Sequence, residues 1–177
     1  KEGSANLFIN RGAAWWTDGK QKRIFFGTMR GRLYSIDPAN GRAVWRISAG
    51  RTLSAGAGAD GSVVVVGSDK GDVLAFDANG TALWATKVGS EVISPPKTAE
   101  GTVVVFSGGG RVYGLSTKDG SRRWVYQRAN PPLIVRNYAG AVIERGGVFF
   151  GTAGGRLLGL DLATGTVGWE AAIATPK

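Results

Sequence analysis

The sequence contains no cysteine and no histidine. The first absence rules out a disulfide, a thiolate metal ligand and a thiol nucleophile. The second removes the commonest general base and metal ligand, and any Ser-His-Asp triad with them. Hydrolase and metalloenzyme readings are disfavoured on these grounds, and no catalytic or metal-binding residue is assigned. No apolar run approaches the ~20 residues of a membrane-spanning helix, so no spanning segment is expected. The opening KEGSANLFIN lacks an initiator Met and the apolar core of a signal peptide. It reads as the start of a processed, soluble chain or of a piece of a longer one.

What the chain has is glycine, 29 residues of 177, and aromatics at 10%, six of them Trp. That pairing suits an all-β protein with many tight turns. The net charge of +9 comes from 22 Lys and Arg against 13 Asp and Glu. The cations (Lys20, Lys22 and Arg23, then Arg30 and Arg32, Arg122 and Arg123, Arg156) look scattered along the sequence. They read as solvated loop and edge residues, and nucleic acid is not an expected partner.

The organising feature is a repeat. Trp45, Trp84, Trp124 and Trp169 are spaced by 39, 40 and 45 residues. The segments leading to them share one layout: RIFFGTMRGRLYSIDPANGRAVW, SVVVVGSDKGDVLAFDANGTALW, TVVVFSGGGRVYGLSTKDGSRRW and GVFFGTAGGRLLGLDLATGTVGW. Each reads as a hairpin, an Asx-type turn ending in Gly, and a strand opened by Trp. A further strand is expected before each hairpin, at RGAAWW, RTLSAGA, EVISPP and GAVIER. Four strands per ~40-residue unit is a propeller blade, which stacks on its neighbours because it cannot bury its faces alone. The expected blades run about 9–50, 51–89, 90–129 and 130–174, within a single domain spanning 1–177. The four Trp are assigned a structural role, each docking against a neighbouring blade and hiding ~150–250 Å².

Several strings tempt other readings. GAGADG, residues 56–61, matches G-x-G-x-x-G but runs into SVVVVG, a strand rather than a helix, so it is read as a Gly-rich turn. SGGGR lacks the Lys-Ser/Thr of a phosphate loop, and Asn79-Gly80-Thr81 is read as a turn before a glycosylation site.

The run Ala-x-Asp-x-x-x-Gly-x-x-x-Trp, present as SIDPANGRAVW, GLSTKDGSRRW and GLDLATGTVGW with a shorter AFDANGTALW, resembles the docking motif of quinoprotein-like, PQQ-type propeller repeats. Ser116 stands where the motif has Asp. From about residue 51 to 177, the stretches TLSAGAGADGSVVVVGSDKGDVLAFDANGTALW and WVYQRANPPLIVRNYAGAV resemble the BamB-like family of the outer-membrane β-barrel assembly machinery. Residues 1–50, with NRGAAWWTDGKQKRIFFGTMRGRLYSIDPANG, are similar to the first blades of PQQ-dependent alcohol and glucose dehydrogenases, so a chimera is suspected.

The BamB resemblance implies a non-enzymatic, periplasmic binding scaffold. It implies docking to a POTRA-type domain of BamA through a Leu-x-Leu-Arg-like element, here Leu133, Val135 and Arg136. About five extra residues fall around NPPLIVRNYAG compared with the other blades, and the Pro131–Pro132 pair reduces the entropy lost on binding. The competing reading makes Leu133–Val135 the inner strand of the fourth blade. The dehydrogenase resemblance aligns Arg11 with a cofactor-contacting Arg, but no adjacent Cys pair and no catalytic Asp with calcium ligands accompany it. Arg11 is thus an isolated cofactor candidate, and no cofactor is expected. A dehydrogenase fragment, and a designed or recombined propeller with no native activity, remain as alternatives. Because both families build eight-bladed rings from wedges of about 45°, four blades close half a circle. A homodimer completing the ring is the expected assembly.

Overall fold

The computed structural model describes residues 12–61, 63–127, 140–152 and 155–173. They form sixteen strands and no helix, in four sheets of four. The first sheet holds β1 (Ala13–Thr17), β2 (Lys22–Gly27), β3 (Arg32–Ile36) and β4 (Ala43–Ser48). The second holds β5 (Gly58–Ala59), β6 (Val64–Gly67), β7 (Asp72–Phe76) and β8 (Ala82–Lys87). The third holds β9 (Lys97–Ala99), β10 (Thr102–Ser107), β11 (Arg111–Ser116) and β12 (Arg122–Gln127). The fourth holds β13 (Val142–Glu144), β14 (Gly147–Thr152), β15 (Arg156–Asp161) and β16 (Val167–Ala172). Every sheet is an antiparallel meander in chain order. The fold is an all-β propeller of four blades.

The blades sit side by side because their inner strands touch in sequence, β1 against β5, β5 against β9 and β9 against β13. No comparable packing joins β13 to β1 among the described residues. Three hydrophobic cores fill the seams. Phe25, Leu33 and Trp16 of blade one meet Val64, Val66 and Phe76 of blade two. Val63, Val65 and Val73 meet Val103, Val105 and Leu115. Val104, Val112 and Trp124 meet Val148, Phe150 and Leu158. Alternate residues of one strand therefore serve two different seams, Val63 and Val65 on one face, Val64 and Val66 on the other. This is why the central blades read as unbroken β-branched runs: both faces are buried, and Val63, Val64, Val65 and Val66 are all essentially inaccessible.

Two expectations about the inner strands need correction. EVISPP was assigned as a strand, but Val92 makes only an isolated bridge to Ser107 and β9 begins after the prolines, at Lys97. Pro95 and Pro96 have no N–H to give a ladder. Similarly, Leu53 only bridges Ser68, and β5 is the Gly58–Ala59 pair. GAGADG is accordingly not all turn. Gly56 and Gly58 belong to the inner wall, where the backbones of adjacent blades close up: a Cβ on Gly56 would lie 2.5 Å from the Gly12 carbonyl oxygen, and one on Gly58 would overlap Pro96. Only hydrogen fits there.

The outer strands share one irregularity. The ladder between third and fourth strands slips at Ser35/Ile36, Ala75/Phe76, Gly114/Leu115 and Gly159/Leu160. A β-bulge at this point re-aims a side chain, and in each blade the last residue before the slip pairs with the Trp: Ser35 with Trp45, Ala75 with Trp84, Gly114 with Trp124, Gly159 with Trp169. The partner must be small because the indole lies directly over it. A Cβ on Gly159 would sit 2.5 Å from Trp169 Cε2.

Candidate functional site

The best-defined geometry in the molecule is the seam. Trp45 Nε1 donates to the Ala78 carbonyl at 2.9 Å, Trp84 Nε1 to Thr117 at 2.8 Å, and Trp124 Nε1 to Leu162 at 2.8 Å. Each acceptor follows the residue that shapes the third-to-fourth-strand turn of the next blade. Asp77 Oδ1 accepts from Asn79 N at 2.9 Å and Thr81 N at 2.8 Å, and Asp161 Oδ1 from Thr164 N at 2.8 Å. Ser116 Oγ fills the same role toward Lys118 N at 3.2 Å, so the Asp-to-Ser departure leaves the turn formed. The ring faces then rest on the turn glycine: Trp45 on Gly80, Trp84 on Gly120, Trp124 on Gly165. Gly165 has φ +70° and its Cβ position lies 2.6 Å from Trp124 Cδ2. Both the positive φ and the flat ring demand glycine.

The same parts occur at the two ends of the arc without their counterparts. Trp169 stacks on Phe149 at 5.8 Å but is 44% exposed, against 7% for Trp124, and has no indole acceptor among the described residues. Gly41, the equivalent turn glycine of blade one, has nothing within 4 Å of its Cβ position. The end faces are nevertheless apolar. Phe26 stacks on Tyr34 at 4.9 Å, Trp15 is exposed on the same sheet, and Val142 and Ile173 are exposed on the sheet of Trp169.

The connection from blade three to blade four begins at Gln127, beside Arg111, whose Nε donates to Gln127 Oε1 at 2.9 Å. Leu133, Val135 and Arg136 lie outside the described residues, as does Arg11. What is described at this seam is a pocket of about 250 Å³, lined by Glu100, Thr102, Arg123, Gly146 and Asp161. Its polar groups satisfy one another: Arg123 Nη1 donates to Thr102 Oγ1 at 2.8 Å and Gly146 N to Glu100 Oε1 at 3.3 Å. It is a joint between blades. Among the described residues no three Asp or Glu side chains converge on a point that would hold a metal ion. No helix among them is long and apolar enough to cross a membrane.

Three carboxylates carry shifted pKa values, all in turns. The Ser121 hydroxyl and backbone N–H hold Asp119 down to about 2. Thr164 lowers Asp161, and the backbone N–H groups of Gln21 and Lys20 lower Asp18. All three act as turn caps, so these shifts report local order and do not mark a reactive centre.

The profile of the family described as outer membrane protein assembly factor BamB matches residues 29–177. The chain belongs to the BamB family. The match takes in residues 29–50, within the stretch that resembles a dehydrogenase blade. A BamB from Nitrosomonas eutropha is 50% identical over 146 residues, which is 82% of this chain and 36% of the relative. Another from Bordetella pertussis is 41% identical over 154 residues, 87% of this chain and 40% of the relative. The chain thus spans well under half the length of these BamB relatives. The crystal structure of BamB from Moraxella catarrhalis superposes with a TM-score of 0.78 at 24% identity, over 93% of this chain and 52% of that one. At that identity the likeness concerns the fold.

Proposed function

We propose that the chain is a non-enzymatic protein-binding scaffold of the outer-membrane protein assembly apparatus, acting in the periplasm. The observation that carries this reading is the BamB family match over residues 29–177. The docking element is the 130–140 stretch, with Leu133 and Val135 as apolar anchors and Arg136 as the charged one, directed at a POTRA-type domain of BamA. Apolar anchors beside one Arg have the composition of a binding hot spot. Truncating an Arg that a partner buries and pairs costs about 2–5 kcal/mol of affinity. The test is a pull-down of the chain, wild type beside Arg136→Glu, on an immobilised POTRA array. Retention of wild type and loss of the variant support the reading; no retention of either overturns it.

For these 177 residues on their own, a second copy covers the apolar end faces, giving a two-fold ring of eight blades. The wedge shape of a blade and the uncovered Trp169 favour this closure. Light scattering decides it: a cooperative folder that stays an 18.5 kDa monomer at micromolar concentration excludes the dimer.

A further inference from the structure

The cations that look scattered in sequence are sorted by the meander. Turns between first and second strands, and between third and fourth, fall on one rim of the arc. Turns between second and third strands fall on the other, together with the connections between blades. The connections and turns of this second rim are knitted together: Ala49 N donates to Gly31 O at 2.7 Å and Val88 N to Gly71 O at 2.8 Å.

On the first rim, acid and base balance at eight of each among the described residues, from Asp18 to Asp161. On the second rim, Arg156 is matched by Glu170 at 2.8 Å. Among the described residues, six further cations of this rim, Arg30, Arg32, Arg51, Lys70, Lys87 and Arg111, stand against three acids, Asp69, Asp72 and Glu91. Arg51 and Lys87 share a single carboxylate, Asp72, at 3.2 and 3.9 Å. Arg32, Lys70 and Arg111 are exposed and make no ion pair among the described residues. Gln127, where the chain leaves blade three toward the proposed docking stretch, lies on this same rim against Arg111.

We infer that the cationic rim steers an acidic protein face onto the docking stretch, so that the partner surface meeting it is rich in carboxylates. This rests on the proposed docking function and specifies the chemistry of its partner. A rim of one sign acts chiefly on the rate of encounter, whereas the buried anchors set the rate of release. A protein is favoured over a lipid surface because the rim is continuous with Gln127, where the chain leaves blade three toward the proposed docking stretch, and its exposed apolar residues, Met29 and Ile173, lie on separate blades.

The test measures association and dissociation of the POTRA-type domain by stopped flow, for wild type and for Arg32→Ser/Lys70→Ser/Arg111→Ser, across a salt series. None of these three supports a buried carboxylate, so the variant retains its fold, checked by its melting temperature. The expected result is an association rate about tenfold lower at low salt, with dissociation nearly unchanged. The two proteins should converge near 1 M salt, where the screening length is about 3 Å. Equal association rates and equal salt slopes, with binding intact, overturn this inference and leave the docking function standing. Absence of binding by wild type overturns both. Capture of wild type but not of the variant by phosphatidylglycerol vesicles, with POTRA association unaffected, overturns the protein assignment in favour of a membrane.

Discussion

Gly41 and Gly165 occupy the same position in two blades and offer an internal control on the seam. Their φ values are +71° and +70°, so replacement by Ala imposes the same left-handed strain, about 1–2 kcal/mol. Only the surroundings differ. A methyl on Gly41 meets nothing within 4 Å, while one on Gly165 lies 2.6 to 2.8 Å from three atoms of the Trp124 ring. The indole must then lift away, breaking its 2.8 Å bond to the Leu162 carbonyl. An unmade bond at a buried donor costs about 1–3 kcal/mol, and lost packing in the surrounding core adds to it. Gly165→Ala should therefore cost about 3–5 kcal/mol and Gly41→Ala about 1–2. With a urea slope of roughly 1–3 kcal/mol/M, the midpoints should differ by about 1–2 M. The assay is equilibrium unfolding in urea, followed by Trp fluorescence and circular dichroism at a concentration where the chain is monomeric. Equal losses in the two variants would refute the idea that the indole seat, rather than the turn alone, holds the blades together.

Three further outcomes follow from single residues. Ser35 is fully buried and its Oγ has no hydrogen-bond partner, so Ser35→Ala should raise stability by about 1 kcal/mol in the same urea assay; a loss beyond that size would contradict the packing described. Arg145 sits at φ 48° in a two-residue hairpin turn with its side chain 91% exposed, and Arg145→Gly, which removes the strain of a primed turn, should shift the melting temperature up rather than down. Asp119 is depressed to about 2 when folded, below an unfolded value of about 3.9. Its contribution to stability is thus complete above the unfolded value and disappears as pH falls through the folded one. NMR titration of its carboxyl carbon should show a midpoint near the lower figure, and Ser121→Ala should move that midpoint upward.

The repeat was legible because blade stacking imposes it at fixed offsets. The indole needs a small residue beneath it, a carbonyl beyond it and a glycine under its face, and all three recur with Trp45, Trp84 and Trp124. The inner strands were less legible, since they are set by tertiary approach. Nothing local in RTLSAGAGA says that Gly58 must clear Pro96, and the Pro95–Pro96 pair moved β9 beyond the assigned segment. The charge pattern was hidden for a different reason. Cations close in sequence, such as Lys22 and Arg32, end on opposite rims because strand β2 crosses the sheet between them. The proposed docking residues Leu133, Val135 and Arg136 rest on the sequence and its family resemblance, since they lie outside the described residues.

The central claim is that indoles seated on the following blade's turn bind these blades into an arc. Hydrogen exchange of the four docking indole Nε1–H groups, followed by NMR in dilute solution, tests it most directly. Trp45, Trp84 and Trp124 should exchange only when blades separate, orders of magnitude more slowly than the uncovered Trp169. Exchange of all four at a common, solvent-limited rate would contradict the account.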